Sequence, residues 1–236
     1  MFLPKSIHPS WDQFLTPQVE DLLNHIYQTI SHPYNPHQDD LVLRFLSLDL
    51  QAIKVVWLGQ DVYPAPGVAT GRAFEAGNIS SWLEPFKQVS LKNILRLIHK
   101  TYREISDYDR ILSYQKIKDE ISNGSFPILD YRDWFNSLED QGVLFLNTSF
   151  TCQTGKANSH KSHWLPFTHL LLTYISRENP NLVWFLWGKE ASKYTPYIEG
   201  KLKISRHPMM CSKKYDDDFL KSKCFEDTQD LIHWLG

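Results

Sequence analysis

Ile53-Lys54-Val55-Val56-Trp57-Leu58-Gly59-Gln60-Asp61-Val62-Tyr63-Pro64 is the stretch that decides the fold. Its first half is a short apolar run rich in β-branched and aromatic residues, the pattern of a strand buried on both faces. A glycine ends the run. An amide, a carboxylate and an aromatic ring follow, so the strand is expected to open into a small-molecule pocket. Pro64, Pro66, Gly67 and Gly71 then mark an ordered loop.

Three more runs share this design. Residues 143–146 end at Asn147, residues 182–187 end at Gly188, and residues 202–205 end at Arg206-His207-Pro208. Helical periodicity lies between and around them. It is clearest over 16–31, with Val19, Leu22, Leu23, Ile26 and Ile30 on one face, and over 90–102, with Leu91, Ile94, Leu95 and Ile98. Further helices are predicted over 41–48 and 165–177 and near 226–235. The polar span 104–127 reads as a helical excursion or a mobile insertion. Buried strands separated by helices predict an α/β fold with a central four-stranded parallel sheet flanked by helices. In such sheets ligands bind beyond the carboxyl ends of the strands. That rule brings Asp61, Asn147 and His207 together from distant parts of the chain.

The totals exclude several classes. With 236 residues and 42% hydrophobic content, one globular domain over 1–236 is expected. No run of 18 apolar residues is present, so a membrane-spanning helix and a membrane partner are not expected. The N-terminus lacks a basic segment followed by an apolar stretch, and the three cysteines form no CxxC pair. A reduced, cytoplasmic monomer without a structural metal is the expectation. The net charge of −2 gives no global attraction to nucleic acid. Seven basic residues against two acidic ones between Leu186 and Lys214 read either as a patch that steers a polyanion locally or as a solvated lysine-rich face.

Asp61 could position or deprotonate a water and stabilise a neighbouring positive charge. Asn147 offers a donor and an acceptor in one plane, which suits an amide-like edge such as N3–H and O4 of a pyrimidine. His207 can donate to an oxygen on which negative charge develops. Phe74 and Tyr63 can stack on a flat ring or wall it in. Taken singly, an aspartate after a strand is more often a turn or cap residue, a histidine before proline is more often structural, and an asparagine at a strand end is a common turn former. Only their joint placement favours a heterocycle site.

These residues also carry a resemblance. Gly59 to Pro64, followed by Gly71-Arg72-Ala73-Phe74, resembles the family 1 uracil-DNA glycosylase signature GQDPYH and its GxAF segment. Val143-Leu144-Phe145-Leu146-Asn147-Thr148 is similar to the LLLN segment, Phe185-Leu186-Trp187-Gly188 to LLWG, and the run from His207 to HPSPLS. The resemblance implies the uracil-DNA glycosylase fold, base-excision chemistry on uracil in single- or double-stranded DNA, and no cofactor or metal. It implies that Asp61 orients water and stabilises an oxocarbenium-like sugar, and that His207 donates to uracil O2. Gln60 would line the pocket, Asn147 would read the uracil edge, Phe74 would stack on it, and Tyr63 would exclude a 5-methyl group. Ser90, His160, Gly188, Lys189, Met209, Met210, Cys211, Ser212 and Lys213 fall where the family contacts DNA. A protein inhibitor that mimics DNA is a further implied partner.

The departures from the family pattern cluster on the DNA-facing elements. Val62 and Pro64 replace the Pro and His around the signature tyrosine. Cys211 stands where the family has a wedging leucine, Lys87-Gln88-Val89-Ser90 keeps only the serine of the proline-rich loop, and Gly188-Lys189 replaces Gly-Ser. Weakened or altered DNA engagement is therefore expected of such an enzyme. The competing reading is a catalytically inactive relative that binds DNA structures or protein partners through the same fold. His160 and His163 lack a third metal ligand nearby and read as loop residues. Asp216-Asp217-Asp218 lacks the spacing of a calcium loop and reads as solvated surface.

Overall fold

Four parallel strands form the spine of the molecule, hydrogen-bonded in the order Val143–Ser149 (β3), Val55–Asp61 (β2), Val183–Trp187 (β5) and Lys201–Ser205 (β6). The structure is a computed structural model that describes residues 2–236. Two short strands, β1 (Tyr34–Asn35) and β4 (Cys152–Gln153), pair antiparallel outside the main sheet. The helices are α1 (Pro17–Thr29), α2 (Asp39–Val42), α3 (Val89–Tyr102), α4 (Tyr114–Ser122), α5 (Tyr131–Asp140), α6 (Lys161–Glu178) and α7 (Lys189–Ser192). The expected four-stranded parallel sheet flanked by helices is what is observed.

Alternation along β2 divides the core. Val55 and Trp57 pack on one side of the sheet with Leu91, Leu95, Trp134 and Trp234, and Val56 and Leu58 pack on the other with Leu23, Trp164 and Phe167. Both faces are therefore covered, which is why the strands read as continuous apolar runs. Trp57 lies at the centre of the first layer, with the rings of Trp187, Phe145 and Phe225 within 5.6 Å between centroids.

Several elements differ from expectation. β2 and β3 run past their apolar cores to Asp61 and Ser149, because their polar ends stay paired in register, Gly59 opposite Asn147 and Asp61 opposite Ser149. The helix expected over 41–48 breaks at Leu43 (φ −113°, ψ 37°) into α2 and a 3-10 turn, Arg44–Ser47. No helix forms near 226–235 beyond the 3-10 turn Glu226–Thr228. That segment uses its carbonyls on the core instead: Trp234 O accepts from Trp134 Nε1 and Leu235 O accepts from Leu129 N. The span 104–127 is the helical excursion, a 3-10 turn at Tyr108–Arg110 followed by α4 with Ser113 as its cap. Helix α5 is an element that the apolar patterning considered above does not assign. Its signal lies in the Asp130 cap and the buried stripe Tyr131, Trp134, Phe135 and Leu138.

One buried ion-pair network fastens α5 to the loop after β2. Arg72 donates to both oxygens of Glu139, to Glu75 and to Asn136, and Arg44 also donates to Glu139. Arg72 is only 7% exposed. Truncating one partner of such a network leaves buried charge uncompensated. Arg72→Ala is therefore expected to lower the unfolding free energy by about 3–5 kcal/mol in urea titration. A loss below about 1 kcal/mol, the range of an exposed pair, would contradict this assignment.

Candidate active site

The carboxyl ends of β2, β3 and β6 converge on one cavity of about 340 Å³. Gln60, Asp61, Tyr63, Phe74, Asn147 and His207 line it, together with Ser90 at the start of α3 and Met209. The three side chains that the strand-end rule assembled do meet.

Asn147 reaches the cavity from β3 because Gly59 opposite it has no side chain. A Cβ at Gly59 would lie 2.5 Å from Asn147 Oδ1 and 2.8 Å from Ala73 Cβ. The amide of Asn147 is buried and makes no hydrogen bond within the described residues. Thr148 Oγ1 donates to Gln60 O at 2.9 Å and ties the two strand ends together.

Asp61 lies at the end of β2. Its Oδ2 accepts the backbone N–H of Asn158, while its Oδ1 is buried with no hydrogen-bond partner among the described residues. Burial pushes the Asp61 carboxyl above the ordinary carboxylate range, against the opposing pull of the Asn158 N–H. Asn158 Oδ1 also accepts from Gln60 Nε2 at 2.7 Å. Sequence reasoning missed Asn158. Its signal is weak, an asparagine in a Gly-Lys-Ala-Asn turn, and it does adopt the left-handed conformation such residues tolerate (φ 60°).

His207 follows β6. Its Nδ1 accepts the backbone N–H of Met209 at 3.2 Å, which leaves the ring proton on Nε2. Burial pushes the His207 pKa down, so the imidazole is neutral at neutral pH. Gly188 (φ 92°) permits the ring to sit there, since a Cβ would lie 2.8 Å from His207 Cβ.

Phe74 is one of three non-glycine residues with positive φ (67°) among the described residues, a strained conformation of the kind that concentrates at functional sites. Its ring centroid is 6.5 Å from that of His207 and 5.4 Å from that of Trp187. Tyr63 O–H donates to Phe74 O at 3.3 Å, and burial pushes the phenol up to about 12. The two aromatic walls are thereby linked.

The outer residues divide. Gly188, Lys189 and Met210 border a second depression on the other side of His207. Met209 and Met210 are each 57% exposed. Lys213 is exposed but paired with Asp109, and Ser212 donates its N–H to Asp218. Two expectations of DNA contact are not met. His160 is 1% exposed, with its two nitrogens bonded to Ser31 Oγ and Thr151 Oγ1, so it is an internal strut. Cys211 turns inward: Sγ donates to Pro208 O, and burial pushes the thiol up to about 12. The acidic triplet also differs from the expected solvated surface, because Asp218 is buried. Among the described residues no group of three or more His, Cys, Asp or Glu is placed to hold a metal ion, and no helix is long and apolar enough to cross a membrane.

A parallel α/β sheet whose strand ends present a half-buried carboxylate, a neutral imidazole, a free amide and an aromatic shelf defines a site for a flat heterocycle. Relatives sharpen that class. The chain is 30% identical to a uracil-DNA glycosylase of Azobacteroides pseudotrichonymphae, over 98% of this chain and 96% of that one. It is 27% identical to one of Corynebacterium efficiens, over 98% and 87%. Among solved structures it is similar to the UNG of Nitratifractor salsuginis, with a TM-score of 0.70, 20% identity and coverage of 95% and 91%. It is also similar to a mimivirus UNG in complex with UGI, with a TM-score of 0.62, 22% identity and coverage of 88% and 71%. No protein-family model matches the chain. The chain belongs to the uracil-DNA glycosylase family.

The raised pKa of Asp61 has a consequence for stability. Folding favours the protonated carboxyl; that contribution is present below the ordinary carboxylate value and is lost as pH rises through the folded-state pKa. Asp61→Asn, which keeps an oxygen for Asn158 N–H and carries no charge, is therefore expected to melt higher than the wild type at pH 7. The gap should close as pH falls toward 4. A variant that melts lower at pH 7, or a gap that does not change with pH, would contradict the burial assigned to Asp61.

Proposed function

We propose that this chain is a divergent family 1 member that hydrolyses the N-glycosidic bond of deoxyuridine in DNA, using its own side chains alone. One observation carries the reading. In a single cavity, the half-buried Asp61 carboxylate lies with an imidazole whose tautomer is set by a backbone N–H.

The reaction separates a uracil anion from a sugar that becomes cationic. His207 donates Nε2–H to uracil O2, where negative charge grows, and being neutral it does so without giving up a full proton. Asp61, ionised, faces the developing positive charge on the sugar and orients the water that adds there. Asn147 pairs with N3–H and O4, Phe74 stacks on the ring, and Tyr63 fills the space a 5-methyl group would need. A cavity this recessed accepts only a base taken out of the stack, at a cost of about a few kcal/mol that is lowest in single strands.

DNA engagement is the divergent part. With Cys211 turned inward, the exposed apolar tip of the loop is Met209-Met210, and apolar side chains of this kind wedge between base steps. Lys189, at the start of α7, makes no ion pair within the described residues, and neither do the exposed Lys156 and Lys214, so these cations are available to a phosphate. Lys213 is engaged by Asp109. The unstacking cost is lowest in a single strand, so single-stranded substrate is favoured over duplex. The same groove is the proposed target of an inhibitor that mimics DNA, in line with the mimivirus relative solved with UGI.

The test is base release from single-stranded and duplex oligonucleotides that contain one uracil, with thymine and cytosine controls. Release of uracil alone, faster from the single strand, is expected, with a loss of about 1,000-fold or more in Asp61→Asn. The acid limb of the wild-type rate should lie above the ordinary aspartate value, because Asp61 must be ionised and its pKa is raised. No release at high enzyme concentration, together with specific DNA binding, would instead support the inactive relative.

A further inference from the structure

The acidic triplet contains a group that the reaction above does not use. Asp218 is 1% exposed and none of its bonds reaches the cavity. Its Oδ2 accepts the backbone N–H of Ser212, and its Oδ1 accepts Tyr108 O–H at 3.0 Å and Leu220 N–H at 3.0 Å. Ser212 closes the loop that begins at His207. Within that loop Met209 N–H donates to His207 Nδ1 at 3.2 Å and Met210 N–H donates to His207 O at 2.8 Å. The near end of the loop is held from outside as well, where Asn93 Nδ2 donates to Pro208 O at 2.6 Å.

Both clamps lead back to one place. Arg96 on α3 donates to Asn93 Oδ1 at 2.9 Å and to Leu112 O at 2.8 Å. Leu112 and Tyr108 belong to the excursion between α3 and α4, and Asp109 of the same turn pairs with Lys213 just beyond the loop. The excursion thus reaches the loop through Tyr108, by way of Asp218, and through the Asp109–Lys213 ion pair just beyond it. A short loop with apolar side chains exposed at its tip has little packing of its own to hold it. The bond from Met209 N–H that keeps the proton on His207 Nε2 lies between the two clamps.

We propose that Asp218, braced by Tyr108, is a positioning residue that holds the loop from His207 to Ser212 so that His207 keeps the Nε2–H tautomer. The role assigned to the 104–112 excursion is that of a strut behind the active-site loop. This rests on the glycosylase reading for its kinetic consequence but not for its structural one, and the experiment separates the two.

The imidazole nitrogens of His207 are read by NMR in 15N-histidine-labelled protein, assigned by loss of signal in His207→Gln, and single-turnover uracil release is measured on the same preparations. The variants are Asp218→Asn and Tyr108→Phe, with exposed Asp216→Asn as control. Wild type and control should show one neutral Nε2–H tautomer at pH 7. Asp218→Asn and Tyr108→Phe should show a mixture of tautomers and a fall in kcat of about 10- to 100-fold, with KM changed by less than about threefold. Tyr108→Phe keeps the packed ring and removes one bond, so it is decisive if Asp218→Asn fails to fold. A single Nε2–H tautomer in the folded Tyr108→Phe variant would overturn the proposal. Absence of uracil release from the wild type would overturn the glycosylase reading, and the tautomer shift would still decide the role of Asp218.

Discussion

The bare backbone at Gly59 is the constraint on which the site depends. Three chain segments meet there: β2 itself, the Asn147 amide from β3, and Ala73 from the loop that carries Phe74. A single methyl group on Gly59 would fall within 2.8 Å of both neighbours. A side chain would push Asn147 and the loop of Phe74 away from the strand that holds Asp61. Gly188 does the same for His207 at the end of β5. In both cases glycine is used for close approach, and the approach is made by a side chain of the cavity.

Burial then sets the chemistry. The same low-polarity surroundings raise the pKa of Asp61 and lower that of His207, because both shifts follow from the cost of a buried charge. The imidazole stays neutral and the carboxylate is poorly solvated, a state that interaction with the developing cation of the proposed reaction would relieve. The strained backbone at Phe74 and the anchoring of Arg72 nearby belong to the same arrangement: the loop that bears Phe74 is fastened to α5 before any ligand arrives.

How much of this was legible follows from the physics of each part. The strands announced themselves as apolar runs, and the rule that ligands bind at their carboxyl ends brought Asp61, Asn147 and His207 to one place. Where backbone pairing outlasts the apolar pattern, as at Gln60 and Asp61, the boundary was misplaced. The C-terminal helix failed because Trp234 and Leu235 commit their carbonyls to distant donors, a tertiary choice that periodicity does not reveal. His160 and Asp218 look like surface residues by type, and only the three-dimensional partners show them buried. Cys211 occupies the position of a wedging residue in the chain, but the side chain points the other way, and two neighbouring methionines take the exposed positions.

The central claim is that close approach at Gly59 assembles the uracil pocket, and the most direct measurement is single-turnover uracil release by Gly59→Ala on a uracil-containing single strand. Circular dichroism and cooperative unfolding must first show that the variant is folded, which the buried strand pairing on either side of Gly59 supports. The account predicts a folded protein whose rate falls by about 100-fold or more as Asn147 and the Phe74 loop are displaced. A folded variant that releases uracil at a rate within a few-fold of the wild type would contradict it.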